Sequence, residues 1–207
     1  MLAAARVADT RSVKERLARF AREHRRYVAA QRNVTAIARQ LRAARARLSA
    51  SDAAQDDALE ALARELVADG HRRRNPFAAF GAPSPSKLAR LPFAAGVEAV
   101  HRLVGAIERT TAISATTSQA ARAADAAARA VEQAMVRVEQ VEARVRAARQ
   151  TRDAIGRAWH TAYAALRRGS RAASDEGAPE LHAMLFQPPR RVSAKGRGRA
   201  GAAPLTT

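Results

Sequence analysis

Arginine is the residue type in this sequence best suited to chemistry, and it recurs along the start of the chain. The series is Arg11, Arg19, Arg22, Arg25, Arg26, Arg32, Arg39 and Arg47. Two further basic groups follow, Arg72, Arg73 and Arg74, and then Arg190, Arg191, Lys195, Arg197 and Arg199. A guanidinium group keeps its positive charge and presents five N–H donors in a planar fork that matches carboxylate and phosphate groups. The sequence therefore predicts anion or partner binding at these positions.

Residues that carry catalysis or hold metals do not form recognisable motifs. Cysteine is absent, which excludes disulfides and thiolate metal sites. The five histidines are scattered, and no His-Glu-x-x-His spacing occurs. The Walker Gly-Lys-Ser/Thr motif and the Gly-x-Ser-x-Gly nucleophile motif are also missing. We expect no enzymatic activity, no catalytic residue, no cofactor and no metal ligand.

Composition favours long helices over a globular core of large side chains. Of the 207 residues, 47% are hydrophobic but only 4% are aromatic, and alanine dominates the apolar fraction. Alanine has the highest helix propensity and buries little surface, so it suits helices packed closely side by side. The net charge of +18 attracts polyanions such as nucleic acid, anionic lipid or acidic protein.

Large apolar residues recur at every seventh position in residues 1–69, the first predicted arm. From Val13 the series continues through Phe20, Tyr27, Val34, Leu41 and Leu48. Positions four residues after each form a weaker companion series, and together they indicate a helix with one seam against a partner helix. The polar stretch near 49–55 could begin a second helix capped by Ser51 or Asp52. Because the phase continues to Leu66 without a slip, it is interpreted as a softened part of one helix over 10–69. Gly70 is predicted to end it.

The second predicted arm comprises residues 93–168. Every seventh residue from Leu103 again belongs to a seam, with alanine and threonine in its middle. Its large members are Leu103, Val131, Val138, Val145, Trp159 and Leu166. No proline occurs between Pro92 and Pro179, which favours one continuous helix.

A connector at 70–92 separates the arms and contains four prolines. The predicted fold is all-α, an elongated antiparallel helical hairpin or coiled-coil-like bundle. Self-association of each arm, or a three- or four-helix bundle made by folding the second arm at Gly105 or 114–118, are the alternatives. The basic tail, 169–207, is predicted to be disordered or ordered by a partner, with a short docking segment at 181–186.

Charge is sorted along the predicted arms. The first arm has a basic outer face opposite its seam and an acidic end, since residues 51–70 sum to −5. The connector combines its arginines with Phe77 and Phe80, and Phe93 follows. These rings are expected to cap the hairpin as a small core, with lipid insertion or base stacking as alternatives.

The function predicted from these features is that of a non-enzymatic scaffold. We expect a helical strut in a larger assembly, such as a virion, a ribosome-like particle or a secretion machine. Its partners would be other protein subunits, acidic surfaces or nucleic acid, an anionic membrane, or further copies of the chain. The alternatives are a crescent-type peripheral protein that shapes membranes and a nucleic-acid packaging protein. No apolar run is long enough to span a membrane, the N-terminus has a transit-peptide-like composition, and an intracellular or within-particle location is favoured.

Overall fold

The computed structural model describes residues 10–111 and 113–186, and every described element is helical. Five α-helices follow each other in the described residues. They are α1 (Lys14–Ala68), α2 (Pro85–Leu88), α3 (Phe93–Glu108), α4 (Ala115–Asp175) and α5 (Leu181–Phe186). Among the described residues, one compact unit, unit 1, contains 10–25 and 157–186, and the other, unit 2, contains 26–156. The all-α prediction is confirmed.

Helix α1 is continuous through the polar stretch near 49–55, where a break into two helices was the alternative. Ser49, Ser51 and Asp52 all lie inside the helix, so the one-helix interpretation is confirmed. The end at Gly70 is also as predicted, because Gly70 has φ +94°. The amide of Gly70 donates to Val67 O and that of His71 to Leu66 O, at 3.1 and 2.9 Å. These two bonds form a Schellman cap, which satisfies the last carbonyls of the helix.

In unit 1 the start of α1 packs antiparallel to the end of α4. Phe20 is fully buried, with its ring centroid 5.6 Å from that of Trp159 and 6.0 Å from that of Tyr163. Arg16, one helical turn earlier, lies over Gly169 on the next turns of α4. The remaining core of the unit consists of Val13, Ala162, Leu166, Ala173, Leu181 and Leu185.

In unit 2 the two long helices are again antiparallel. The Tyr27 ring lies against Gly156, and Arg45 pairs with Glu142 further along both helices. Between these contacts the core consists of Val34, Ile37, Val141, Val145 and Ala148. The hairpin pairing predicted from the heptads is therefore present within each unit.

The companion positions of the α1 seam differ from those predicted. Gln31 and Arg45, four residues after seam positions, are exposed, whereas Ile37 and Ala44, three residues after, are buried. Beyond Leu48 the buried companions lie four residues after the seam, as at Leu59. A straight helix has 3.6 residues per turn, so its buried stripe drifts across a strict seven-residue repeat.

The prediction of one helix over 93–168 is wrong. Helix α3 ends at Glu108, and α4 begins at Ala115. Ser114 makes this new start without any proline, since its hydroxyl accepts from the Thr117 amide at 3.1 Å. Both the amide and the hydroxyl of Ser114 donate to Asp69 Oδ2, at 3.2 and 3.0 Å. Asp69 thereby fastens the end of α1 to the start of α4.

Because of this break, part of unit 2 is a three-helix core, as in the alternative that placed a fold at 114–118. Helix α1 contributes Leu59, Leu62 and Leu66; α3 contributes Val97, Val100, Leu103, Val104 and Ile107; α4 contributes Ala121, Ala124, Ala128 and Val131. The small α4 side chains at this core allow a close approach of the helices.

The segment at 181–186 is helix α5, and Leu181 and Leu185 are buried in the core of unit 1. Helix α4 reaches it through Gly177, which has φ +115°. Residues 187–207, which include the five basic tail positions, lie outside the described residues. No helix in the described part of the chain is both long enough and apolar enough to cross a bilayer.

Candidate anion-binding surfaces

The arginines predicted on the outer face of the first arm are all exposed. In unit 1 these are Arg11, Arg19, Arg22 and Arg25, and in unit 2 they are Arg26, Arg32, Arg39 and Arg47. The predicted seam residues lie on the packed side. Phe20, Val34, Val131 and Val145 are buried, and Tyr27, Leu41, Leu48, Val138 and Trp159 are half-buried.

Five of these arginines have no carboxylate partner within 10–111 and 113–186. They are Arg19, Arg25, Arg32, Arg39 and Arg47, called here the unpaired α1 arginines. Arg22 lies 3.7 Å from Glu23, a weak contact, and its side chain is 63% exposed. The guanidinium groups of the unpaired α1 arginines are therefore exposed to solvent. Their N–H donors are available to hydrogen-bond an anionic partner.

On α4, two acids form ion pairs with arginines of the described chain. Glu142 accepts from Arg45 at 2.6 Å, between the two helices. Asp125 forms an ion pair with Arg129 at 2.7 Å and contacts the Nδ1 atom of His101 at 2.6 Å. Exposed pairs of this kind contribute about 0.2–1 kcal/mol each. They neutralise the α4 surface around Asp125 and Glu142.

The acidic end of α1 has two carboxyl groups whose pKa values move in opposite directions. Burial, together with the negative charges of Asp52, Asp57 and Glu60, raises the pKa of Asp56. Hydrogen bonds from Thr117 and Ser114 lower the pKa of Asp69. Asp69 is thus a structural acceptor at the junction of α1 and α4.

The connector presents Arg72, Arg73 and Arg74 to solvent. They lie between the cap at Gly70 and a turn at Asn75, whose Oδ1 atom accepts from the Phe77 amide at 3.2 Å. Sequence reasoning missed four residues that line the same clefts as these arginines: Arg64, Ser84, Ser86 and Lys87. One signal was available in the sequence, because no Asp or Glu occurs anywhere from Gly70 to Val97.

The three phenylalanines of this region have separate roles. Phe77 is fully buried in the unit 2 core, as the small-core interpretation expects, and Phe80 packs half-buried beside it. Phe93 is 41% exposed and Leu91 is 39% exposed. Lipid insertion or base stacking, the alternatives to a small core, would therefore involve the exposed side chains of Phe93 and Leu91.

The histidines serve packing contacts in the described structure. His24 accepts a 3.2 Å hydrogen bond from Trp159 Nε1, consistent with its expected place in the interface. His182 contacts Ser170 Oγ at 2.8 Å. Within the described residues, no three His, Cys, Asp or Glu side chains come together as a metal site.

Comparison with protein-family models, with curated proteins and with solved structures gave no match to this chain. Any function must therefore be argued from the surfaces themselves.

Proposed function

We propose that the protein is a non-enzymatic structural subunit of a larger assembly, a helical strut that binds acidic protein surfaces or other polyanions through α1. The observation that carries the proposal is the set of unpaired α1 arginines. They are exposed, they lie opposite the packed seam, and none has a carboxylate partner among the described residues. Such a subunit is expected to work inside a cell or within a large particle.

Solubility alone does not account for this arrangement. A solvated helix face normally mixes both signs of charge, as α4 does with Arg129 and Asp125. Clustered guanidiniums without acids repel one another and make the isolated protein less stable. An anionic partner would remove that cost and gain charge-assisted hydrogen bonds, each worth about 1.5–3 kcal/mol where water is excluded.

The test replaces Arg32, Arg39 and Arg47 by Glu in one variant of the full chain. A matched control replaces Arg137, Arg144 and Arg149, exposed residues of α4 in the same unit, by Glu. The change of net charge is the same in both variants. Partners are identified by cross-linking and affinity purification under native conditions, and binding of the purified partner is then measured at about 0.15 M salt.

We expect the α1 variant to lose partner binding by about tenfold or more, and the α4 variant to retain it. Far-UV circular dichroism should show equal helicity in both. An equal loss in both variants would show that binding follows net charge, and the α1 face would then have no specific role.

A second candidate function is binding to an anionic membrane surface, and one observation favours it. Leu91 and Phe93 are both exposed, two positions apart in the chain, and close in sequence to Lys87 and Arg90. Exposed apolar side chains flanked by cations are typical of proteins that lie on a bilayer. Co-sedimentation with vesicles of phosphatidylserine and phosphatidylcholine tests it, and Phe93→Ser should lower the bound fraction. Binding to DNA and RNA with a steep salt dependence, and no binding to vesicles, would instead favour nucleic-acid packaging.

A further inference from the structure

Two neighbouring cavities lie at the connector within unit 2, and they share Arg74 and Ser84. The first, about 480 Å³, has polar lining residues Arg64, Arg73, Arg74, Ser84 and Ser86. The second, about 360 Å³, has Arg72, Arg74, Asn75, Ser84 and Lys87. Each cavity thus contains three cationic side chains, with Arg74 common to both.

No carboxylate opposes these cations. Neither cavity has an Asp or Glu in its lining. In the described part of the chain, Arg64, Arg73 and Arg74 make no ion pair. Local positive charge of this density, without an internal counter-ion, is expected to be balanced by a bound anion.

The walls of the cavities are held by buried residues on both sides of the arginines. The Schellman cap at Gly70 fixes where the chain leaves α1. The Asn75 side chain bonds both the Phe77 amide and, at 3.4 Å, Ala82 O, and Phe77 is fully buried. On the opposite wall Leu88, 3% exposed, anchors the short helix that follows Ser84. The backbone around the cavities is therefore formed before a ligand binds, whereas the exposed cationic side chains would be ordered by the ligand.

We propose that the two cavities form one binding site for a compact ligand that carries two phosphate groups. A phosphate monoester carries close to two negative charges at neutral pH, which fits three cations per cavity better than a single carboxylate does. Arginine forks and serine hydroxyls supply the donors that phosphate oxygens accept. The phosphates could belong to a soluble molecule or to a phosphorylated lipid headgroup. The proposal goes beyond the structural role above, since it uses none of the unpaired α1 arginines.

The test titrates the full chain with inorganic pyrophosphate and with orthophosphate, by calorimetry at about 0.15 M salt. Pyrophosphate should bind more tightly, because it engages both cavities. Arg74→Ala should weaken pyrophosphate binding by about tenfold or more, since one charge-assisted contact is lost on each side. The matched control is Arg90→Ala, an exposed connector cation that lines neither cavity and should bind pyrophosphate normally.

A second variant tests the site with a substitution that is not expected to unfold the protein. Ser84 makes no side-chain capping bond to the short helix after it, and its hydroxyl has only a long, exposed contact with Ser86 Oγ at 3.4 Å among the described residues, so Ser84→Ala should change the melting temperature little. It should still weaken pyrophosphate binding several-fold through loss of the shared hydroxyl. Equal losses in Arg74→Ala and Arg90→Ala would show diffuse attraction and overturn the proposal.

A parallel arm uses phosphatidylcholine vesicles with and without phosphatidylinositol bisphosphate. Binding to pyrophosphate in solution identifies a soluble ligand, and Arg74-dependent binding only to the bisphosphate vesicles identifies a lipid headgroup. Both results support the site. Binding of neither, or Arg74-dependent binding only to single-stranded DNA, would overturn it. The Arg32/Arg39/Arg47→Glu variant should bind pyrophosphate normally, so failure of the structural role and failure of this site remain distinguishable.

Discussion

His182 shows how a single side chain fastens α5 within unit 1. Arg171 Nε donates to His182 Nε2 at 3.4 Å, so that nitrogen carries no proton. The proton therefore resides on Nδ1, which donates to Ser170 Oγ at 2.8 Å, and Ser170 in turn donates to Arg167 O at 3.0 Å. Ser174 Oγ accepts from the His182 amide at 3.2 Å. This chain of bonds requires a neutral imidazole.

The protonation of His182 makes unit 1 less stable in acid. Burial, and then the charges of Arg171 and Arg167, lower the pKa of His182. The unfolded chain, with a pKa of about 6.5, therefore takes up the proton first as the pH falls. The contribution of His182 to the free energy of unfolding is present above about pH 6.5 and is lost as the pH falls toward the lowered folded-state pKa. We expect His182→Asn to flatten this pH dependence in urea denaturation, whereas an equal slope in both proteins would contradict the assignment.

Helix α1 could be predicted from sequence, because the signals for its seam, its continuity and its end agree. Large apolar residues at Phe20, Val34 and Leu48 mark the packed side, and Gly70 marks the end. The break before Ala115 could not be predicted in the same way. The serines and threonines at 114–118 allowed a fold there only as an alternative, because the break depends on Ser114 meeting Asp69, a residue 45 positions earlier. Tertiary contact decides there over local sequence.

Substitutions at two glycines test how backbone geometry affects stability: Gly156 lies inside α4, and Gly177 follows its end. A methyl group at Gly156 would meet the Tyr27 ring at 3.6 Å, an ordinary contact. Gly156→Ala should therefore stabilise the protein by about 0.5–1 kcal/mol, through reduced backbone entropy of the unfolded chain.

The same substitution at Gly177 should have the opposite effect. Its φ of +115° is strained for any side chain, so Gly177→Ala should destabilise the protein by about 1 kcal/mol or more. Urea denaturation followed by circular dichroism and fluorescence measures both variants. Destabilisation by Gly156→Ala would mean that the Tyr27 contact is tighter than described.

The charge of the whole molecule could be predicted from composition, but the positions where that charge is available to a partner could not. The net charge of +18 indicates attraction to polyanions, yet only the structure shows which arginines remain unpaired and which border cavities. Arg64 illustrates the difficulty, since it lies in the acidic end of α1 by sequence and lines the connector cavity in space. The heptad pattern likewise did not predict the division into two units.

Excess positive charge predicts an unusual response to salt. Screening of like charges should raise the melting temperature as NaCl increases from about 0.01 to 0.15 M, where the Debye length shortens from about 30 to 8 Å. Replacing Arg32, Arg39 and Arg47 by Gln should reduce this increase, and differential scanning fluorimetry measures it. A melting temperature that falls with salt would show that ion pairs such as Arg45–Glu142 outweigh the repulsion.

The single tryptophan of the chain, Trp159, provides a built-in optical reporter. It stacks on Tyr163 with a centroid distance of 5.3 Å and lies among the aromatic side chains of unit 1. Its emission on selective excitation thus reports the solvent exposure of that unit, whereas ellipticity at 222 nm is weighted toward the more numerous helical residues of unit 2. Superimposable denaturation curves from the two signals would identify one cooperative transition, and separated curves would give each unit its own midpoint without any added label.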